Sequence, residues 1–292
     1  MNLVFFGLGK MGLPMAAHLV RAEHALVGVE PDAQRRARAA REAVQAVATF
    51  DEAMVRAAGT DLIACSSLPD DAALLAVARA LRAATRPIST WIDTSTVSLE
   101  ASATAAALCA EAGIAYLRAP VSGNAVMAAN AQLTVLASGA RPAYARCEAL
   151  FACWGPKRLY LGSAEQARTM KLVLNLMIAV TSGMLAEALV LGQRGGLSWN
   201  DLWDGIVDSA VGAPIVKAKA PALRARDYTP TFTVQQMRKD LGLIIGAGEQ
   251  LGVALPLAAL VQQAMVAAAE QGDAELDYAA VIRLAERAAG LV

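Results

Sequence analysis

Histidine is nearly absent from this chain: His18 and His24 are the two in 292 residues. Proton transfer near neutral pH usually turns first to histidine, and here it has little to draw on. Both residues fall in or just after the first helix, where each reads as a surface or packing side chain. Cysteine is also sparse. Cys65, Cys109, Cys147 and Cys153 show no CxxC spacing, and three of them sit in apolar or helical contexts that suit a reduced thiol packed as a small hydrophobe. That leaves no pattern for a disulfide framework or a zinc site, so no metal is expected. An excess of one charge is missing too, because Lys plus Arg and Asp plus Glu both total 26. Without a net field, binding to nucleic acid or to an anionic membrane is not expected.

Long apolar runs are lacking as well. The hydrophobic fraction is 56%, but much of it is alanine, and no uninterrupted stretch reaches the roughly 18 residues of a membrane span. The nearest imitation, Leu172 to Leu191, is broken by Asn175, Thr181, Ser182 and Glu187 and reads as a buried helix. The first residues lack the charged start and cleavage site of a signal peptide and read directly as a strand, which predicts a cytoplasmic protein.

What is present is an ordered alternation. At 292 residues the chain exceeds the roughly 100–200 of one domain, so two are expected. Up to residue 161, short β-prone runs alternate with longer alanine-rich amphipathic stretches, the signature of βαβ units. Candidate strands are Leu3–Phe6, Ala25–Val29, Asp61–Ser66, Ser89–Ile92, Ala115–Arg118, Leu133–Ala137 and Arg158–Tyr160, which predicts an α/β, Rossmann-type, doubly wound parallel sheet over 1–161. From 162 to 292 the strand signals stop. An all-helical domain is predicted there, opening on a long interdomain helix over about 165–193 and punctuated at Gly195-Gly196, Gly212 to Pro214, Asp227 to Pro230, Gly252 to Pro256 and Gly272-Asp273.

Gly7-Leu8-Gly9-Lys10-Met11-Gly12 matches G-x-G-x-x-G, follows the first strand and opens an apolar helical run through Met15, Ala16 and Leu19. The first glycine permits the tight turn, the second lets backbone approach a pyrophosphate, and the third lets helix and strand pack closely. Phosphate then meets free N–H groups at the positive end of the helix. Glu30 ends the second strand, where such folds place the acid that bonds the adenosine ribose. That favours NAD over NADP, unless Arg35 or Arg36 turns inward to pair with a 2′-phosphate. The plain alternative is a solvent-facing Glu before Pro31.

With histidine out of place, lysine is the next candidate acid or base. Lys171 stands near the start of the long apolar helix, and Asn175, four residues on, shares its face. A cation on an apolar helix needs a partner or a lowered pKa, and either suits proton transfer. A lysine snorkelling from a helix start remains the competing reading.

At these residues the sequence resembles the β-hydroxyacid dehydrogenase family, which includes 3-hydroxyisobutyrate dehydrogenase, tartronate semialdehyde reductase and, more distantly, 6-phosphogluconate dehydrogenase. The landmarks, spread over nearly the whole chain in family order, are Gly7 to Ala16, Leu68-Pro69, Asp93-Thr94-Ser95-Thr96-Val97, Ala119-Pro120-Val121-Ser122-Gly123, Lys171 with Asn175, and Lys239-Asp240-Leu241. The resemblance implies that Lys171 is the catalytic acid/base and Asn175 a substrate-orienting amide. It implies that Ser122 and Gly123 hold a substrate carboxylate, and that Leu68, Pro69, Thr96 and Lys239 line the cofactor cleft. A small hydroxyacid or its oxo form is the implied substrate. The long apolar helix and the alanine-rich helical domain suggest subunit packing, so a homodimer or homotetramer is expected.

Several positions depart from the family's common pattern. Asn124 follows Ser-Gly where a second glycine is usual and adds a polar amide to the expected substrate pocket, while Ala131, Glu165 and Ala167 stand in place of other glycines and Leu174 in place of a frequent Asn. Two other readings compete. One is imine reduction on the same fold, against which the retained Lys171 weighs. The other is a non-catalytic dinucleotide-binding protein, whose relatives carry an additional reader domain and lack the lysine.

Overall fold

A computed structural model describes residues 1–291. The chain divides into two compact units, Met1–Lys171 and the residues from Leu172 onward.

In the first unit β1 (Asn2–Phe6), β2 (Ala25–Val29), β3 (Ala46–Val47), β4 (Leu62–Ser66), β5 (Ile88–Asp93) and β6 (Ala115–Arg118) form one sheet in the order β3-β2-β1-β4-β5-β6. Every pairing in it is parallel. Strand alternation explains why these runs are apolar on both faces. Leu3, Phe5, Ile63 and Cys65 enter one core, while Val4, Phe6, Leu62 and Ala64 enter another. A sheet covered by helices on both sides requires this near-continuous hydrophobicity. The strand order reverses between β1 and β4, and there Phe6 pairs with both Val29 and Ser66. The segments that follow β1, β2 and β4 therefore leave from one edge, at the switch point where doubly wound sheets bind ligands.

One sequence expectation needs correction. The strands after β6 do not extend the parallel sheet. β7 (Val121–Ser122), β8 (Thr134–Ala137) and β9 (Lys157–Tyr160) form a separate sheet in which β7 and β8 run antiparallel. An antiparallel bridge between Arg118 and Ser138 joins it to the end of β6. The cause is chain length: residues 123–133 hold only the five-residue helix α6 (Ala125–Ala129), too little for the crossover of a dozen or more residues that a parallel return requires.

The second unit is helical. It contains most of α8 (Gln166–Arg194), then α9 (Trp199–Asp208), α10 (Pro214–Arg224), α11 (Val234–Leu251), α12 (Pro256–Ala268) and α13 (Val281–Ala288). The breaks fall at the glycines and prolines read from the sequence, with Gly252 left-handed after α11 and proline opening α10 and α12. Among the described residues α8 is the one helix long and apolar enough, by length and composition, to cross a membrane. A third of its most apolar window is buried inside the protein.

Candidate functional site

The turn from β1 into α1 (Gly12–Arg21) is built by what cannot be accommodated there. Gly7 has φ +84°, and a Cβ on it would lie 2.4 Å from the Ser67 carbonyl oxygen; a Cβ on Gly12 would lie 1.9 Å from the Gly7 oxygen. Gly9 differs, since a Cβ there would meet nothing nearer than Arg35 Nη1 at 4.0 Å. The α1 start carries no side-chain cap; Leu13 N–H is given to the Gly9 carbonyl oxygen and Met15 N–H to that of Met11, so an anion there would be met by the loop N–H groups ahead of Leu13 and by the positive end of the helix.

Glu30 is buried at the end of β2, so the solvent-facing reading is set aside. Its Oε2 accepts the Leu8 N–H at 2.9 Å and its Oε1 the Asp32 N–H at 3.1 Å. Arg35 Nη1 stands 3.8 Å from the same carboxylate. Arg36 Nη1 donates to the carbonyl oxygens of Glu30 and Pro31 at 2.8 and 2.6 Å. Two guanidinium groups and one carboxylate thus surround the end of β2, beside the glycine loop.

Leu68 and Pro69 follow β4, and Thr96 follows β5, at the same edge of the sheet. The segments are joined by side chains to which the sequence reading gave no role. Asp93 Oδ1 accepts from Ser66 Oγ at 2.5 Å and Ser95 Oγ at 2.6 Å, while Ser95 Oγ accepts the Leu68 N–H at 2.8 Å. Asp93 is fully buried and ion-paired with Arg168 of α8, which is itself 1% exposed. Burial disfavours the Arg168 cation, but Tyr116 and Asp93 outweigh it and its pKa is raised. Burial pushes the Tyr116 hydroxyl up to about 12, with Asp93 adding to the effect and Arg168 opposing it.

In the loop expected to hold a carboxylate, Ser122 ends β7 opposite Thr134. Gly123 has φ +139°, and a Cβ on it would press within 2.7 Å of Leu133 Cδ2. Asn124 caps α6, its Oδ1 accepting the Met127 N–H at 3.0 Å. That oxygen is committed to the helix. His18 Nε2 lies 3.1 Å from the Ala128 and Ala129 carbonyl oxygens, so it packs α1 against this segment.

Lys171 lies in the second turn of α8 and is half-buried. Within the helical unit, Asn175 and Lys239 are drawn together by a residue the sequence reading gave no role, Asp240. Asn175 Nδ2 donates to Asp240 Oδ2 at 2.6 Å, and Lys239 Nζ stands 2.9 Å from Asp240 Oδ1. Among the described residues no cluster of three His, Cys, Asp or Glu side chains is placed to hold a metal ion.

A glycine loop at the switch point of a parallel sheet, followed by a helical unit, defines an NAD(P)-binding oxidoreductase of two units. The family model for the NAD binding domain of 6-phosphogluconate dehydrogenase matches residues 2–162, and that described as NAD-binding of NADP-dependent 3-hydroxyisobutyrate dehydrogenase matches 166–285. A probable 3-hydroxyisobutyrate dehydrogenase of Mycobacterium tuberculosis is 32% identical over 288 residues, covering 96% of each chain. The solved structure titled Mycobacterium tuberculosis 3-hydroxyisobutyrate dehydrogenase with L-serine superposes with a TM-score of 0.86 at 31% identity, covering 97% of this chain and 98% of that one. An imine reductase from Pseudomonas sp., at 19% identity and a TM-score of 0.59 over 96% of this chain and 98% of that one, shares the fold. The chain belongs to the β-hydroxyacid dehydrogenase family, alongside 3-hydroxyisobutyrate dehydrogenase.

Proposed function

We propose that the protein transfers a hydride between a nicotinamide dinucleotide and a small 2-hydroxy or 3-hydroxy acid and its oxo form, with Lys171 as general acid and base. The observation that carries this reading is the anchoring of α8. Arg168 is locked to the end of β5 and the loop that follows it, and Lys171 comes three residues later, about 4.5 Å along the helix axis. An anchor so near the lysine in the helix supports a role for it beside the loops at that edge of the sheet.

A bound nicotinamide supplies or accepts the hydride at its C4. In reduction Lys171 Nζ gives a proton to the carbonyl oxygen; in oxidation neutral Nζ takes the hydroxyl proton. Ser122 Oγ and the backbone N–H groups around Gly123 hold the carboxylate, since a loop of donors suits an anion beside the reacting carbon. L-serine, present in the structure of the Mycobacterium tuberculosis relative, carries both a carboxylate and a 3-hydroxyl, which supports an acid substrate. Asn175, one turn beyond Lys171, is the orienting amide, with Asp240 fixing which way it faces.

The assembly is proposed as a homodimer or homotetramer. Val173, Met177, Met184 and Leu191 of α8 and Leu257 and Leu260 of α12 are exposed, more apolar surface than scattered single residues account for. Glu187, exposed in mid-helix, weighs against lipid as the covering phase, because a carboxylate in hydrocarbon is costly.

The test is nicotinamide oxidation by the purified protein against small oxo acids, with neutral aldehydes and cyclic imines as controls. Lys171→Ala and Lys171→Met are expected to lower kcat by about 10²–10⁴-fold on the best substrate, leaving dinucleotide Kd within roughly threefold. Lys171→Arg is expected to fail almost as far, because a guanidinium stays protonated. Near-normal turnover in Lys171→Ala returns this lysine to a solvated helix residue. Imines turned over ahead of every oxo acid favour the imine reductase reading, and no turnover with any carbonyl favours a non-catalytic dinucleotide binder.

A further inference from the structure

We propose that Arg168 is a positioning residue for Lys171, its guanidinium setting the register of the first turns of α8 against the loops that follow β4 and β5. This rests on the reading of Lys171 as the acid and base. Arg168 spends its fork on four partners at once. Nη1 donates to the Ser95 carbonyl oxygen at 2.5 Å, Nη2 to Asp93 and to Tyr116 Oη at 2.9 Å, and Nε to Ser102 Oγ at 3.3 Å. The partners come from β5, the loop after it, α5 (Leu99–Glu111) and β6. A rotation or slide of the α8 head would break several of these bonds together. Through Asp93 and Ser95 the same network reaches the Leu68 N–H, so one set of bonds fixes both the helix that carries Lys171 and the loop expected to line the cofactor.

Stability alone is a poor account of the arrangement. Two charges fully removed from water recover little more than their desolvation cost, and apolar side chains of similar volume often do as well. A planar five-donor fork adds direction. Glu165, one turn earlier on the way into α8, pairs with Arg118, which gives the helix head a second fixed point. Two anchors to the sheet give the head of α8, and with it Lys171, a defined azimuth. That matters because displacement of a catalytic group by about 1 Å can cost around 10²-fold in rate.

The experiment is a double-mutant cycle of Arg168→Met and Lys171→Met, read by kcat per folded molecule well below the melting temperature, by dinucleotide Kd from tryptophan fluorescence, and by the pH profile of kcat. Arg168→Met alone is expected to lower kcat about 30- to 100-fold, to shift the pH limb that Lys171 sets, and to leave Kd within about threefold. Arg168→Lys is expected to recover part of the loss. Combined with Lys171→Met, the arginine change is expected to add almost nothing, because its effect runs through a side chain already removed. Wild-type kcat with an unshifted profile in Arg168→Met, or full additivity in the double variant, overturns the proposal. Active Lys171→Met overturns instead the acid/base reading on which it rests, so the two failures are distinct. Should Arg168→Met not fold, Tyr116→Phe combined with Ser102→Ala carries the test, since it removes two bonds of the Arg168 fork and leaves the ion pair with Asp93. A kcat about three- to tenfold lower, with that loss vanishing in the Lys171→Met background, supports the proposal. A wild-type kcat overturns it.

Discussion

Adding one methyl group to the glycine loop separates what the fold needs from what the ligand needs. A Cβ on Gly12 would sit 1.9 Å from the Gly7 oxygen, where no real contact exists, while a Cβ on Gly9 meets only the tip of Arg35 at 4.0 Å. Gly9→Ala is therefore expected to fold with a melting temperature unchanged or slightly raised, since a strain-free Gly→Ala change lowers unfolded-chain entropy by about 0.4–1 kcal/mol. Gly12→Ala is expected to cost at least the 1–3 kcal/mol or so of overpacking, and more because the atom opposed is backbone. Ligand binding should invert that order of tolerance. The open space above Gly9 is where a pyrophosphate must approach the backbone, so a methyl there costs about 1–3 kcal/mol of binding, or roughly 5- to 150-fold in Kd. Thermal melts and dinucleotide titrations of the two variants give all four numbers. A Gly9→Ala protein that binds NAD and NADP like wild type would place the phosphates elsewhere and refute the assignment of this loop.

Glu30, buried at the end of β2, is expected to make NAD bind about tenfold tighter than NADP. Kd values that are equal refute this, and a selective loss of NADP affinity in Arg35→Ala would identify the guanidinium beside Gly9 as a phosphate clamp. Ser122→Ala is expected to raise KM for the acid substrate by several-fold with kcat little changed, as removal of a ground-state hydrogen bond does; an unchanged KM, or better turnover of neutral alcohols, removes the carboxylate role. Met177→Glu with Met184→Glu is expected to convert the oligomer to monomer in light scattering at unchanged helicity, and a wild type that is already monomeric sinks the self-association reading.

The parts of this protein legible in its sequence are those whose causes lie within a few residues of one another. The glycine loop could be read because the contact that demands Gly12 is made by Gly7, five positions away, and because strand and helix flank it at once. The helix breaks of the second unit could be read because a left-handed glycine or a helix-opening proline acts on its own backbone. The pairing of Arg168 with Asp93 spans 75 positions, and that of Asn175 with Asp240 spans 65. Asp93 and Asp240 fall within the family's landmarks, but no local pattern tells what either aspartate pairs with or marks Arg168 as anything but a polar residue near an apolar run. The departures from the family's glycines show the same division. Ala131 sits at φ +52°, so the position does call for glycine, and alanine there carries left-handed strain of about 1 kcal/mol. Glu165 stands for a different reason, one visible only when Arg118, 47 positions back, is brought beside it. A substitution that looks like loss of flexibility ahead of Lys171 is thus a second tether on the helix head, and the position of that lysine owes more to two buried arginine contacts than to any motif around it.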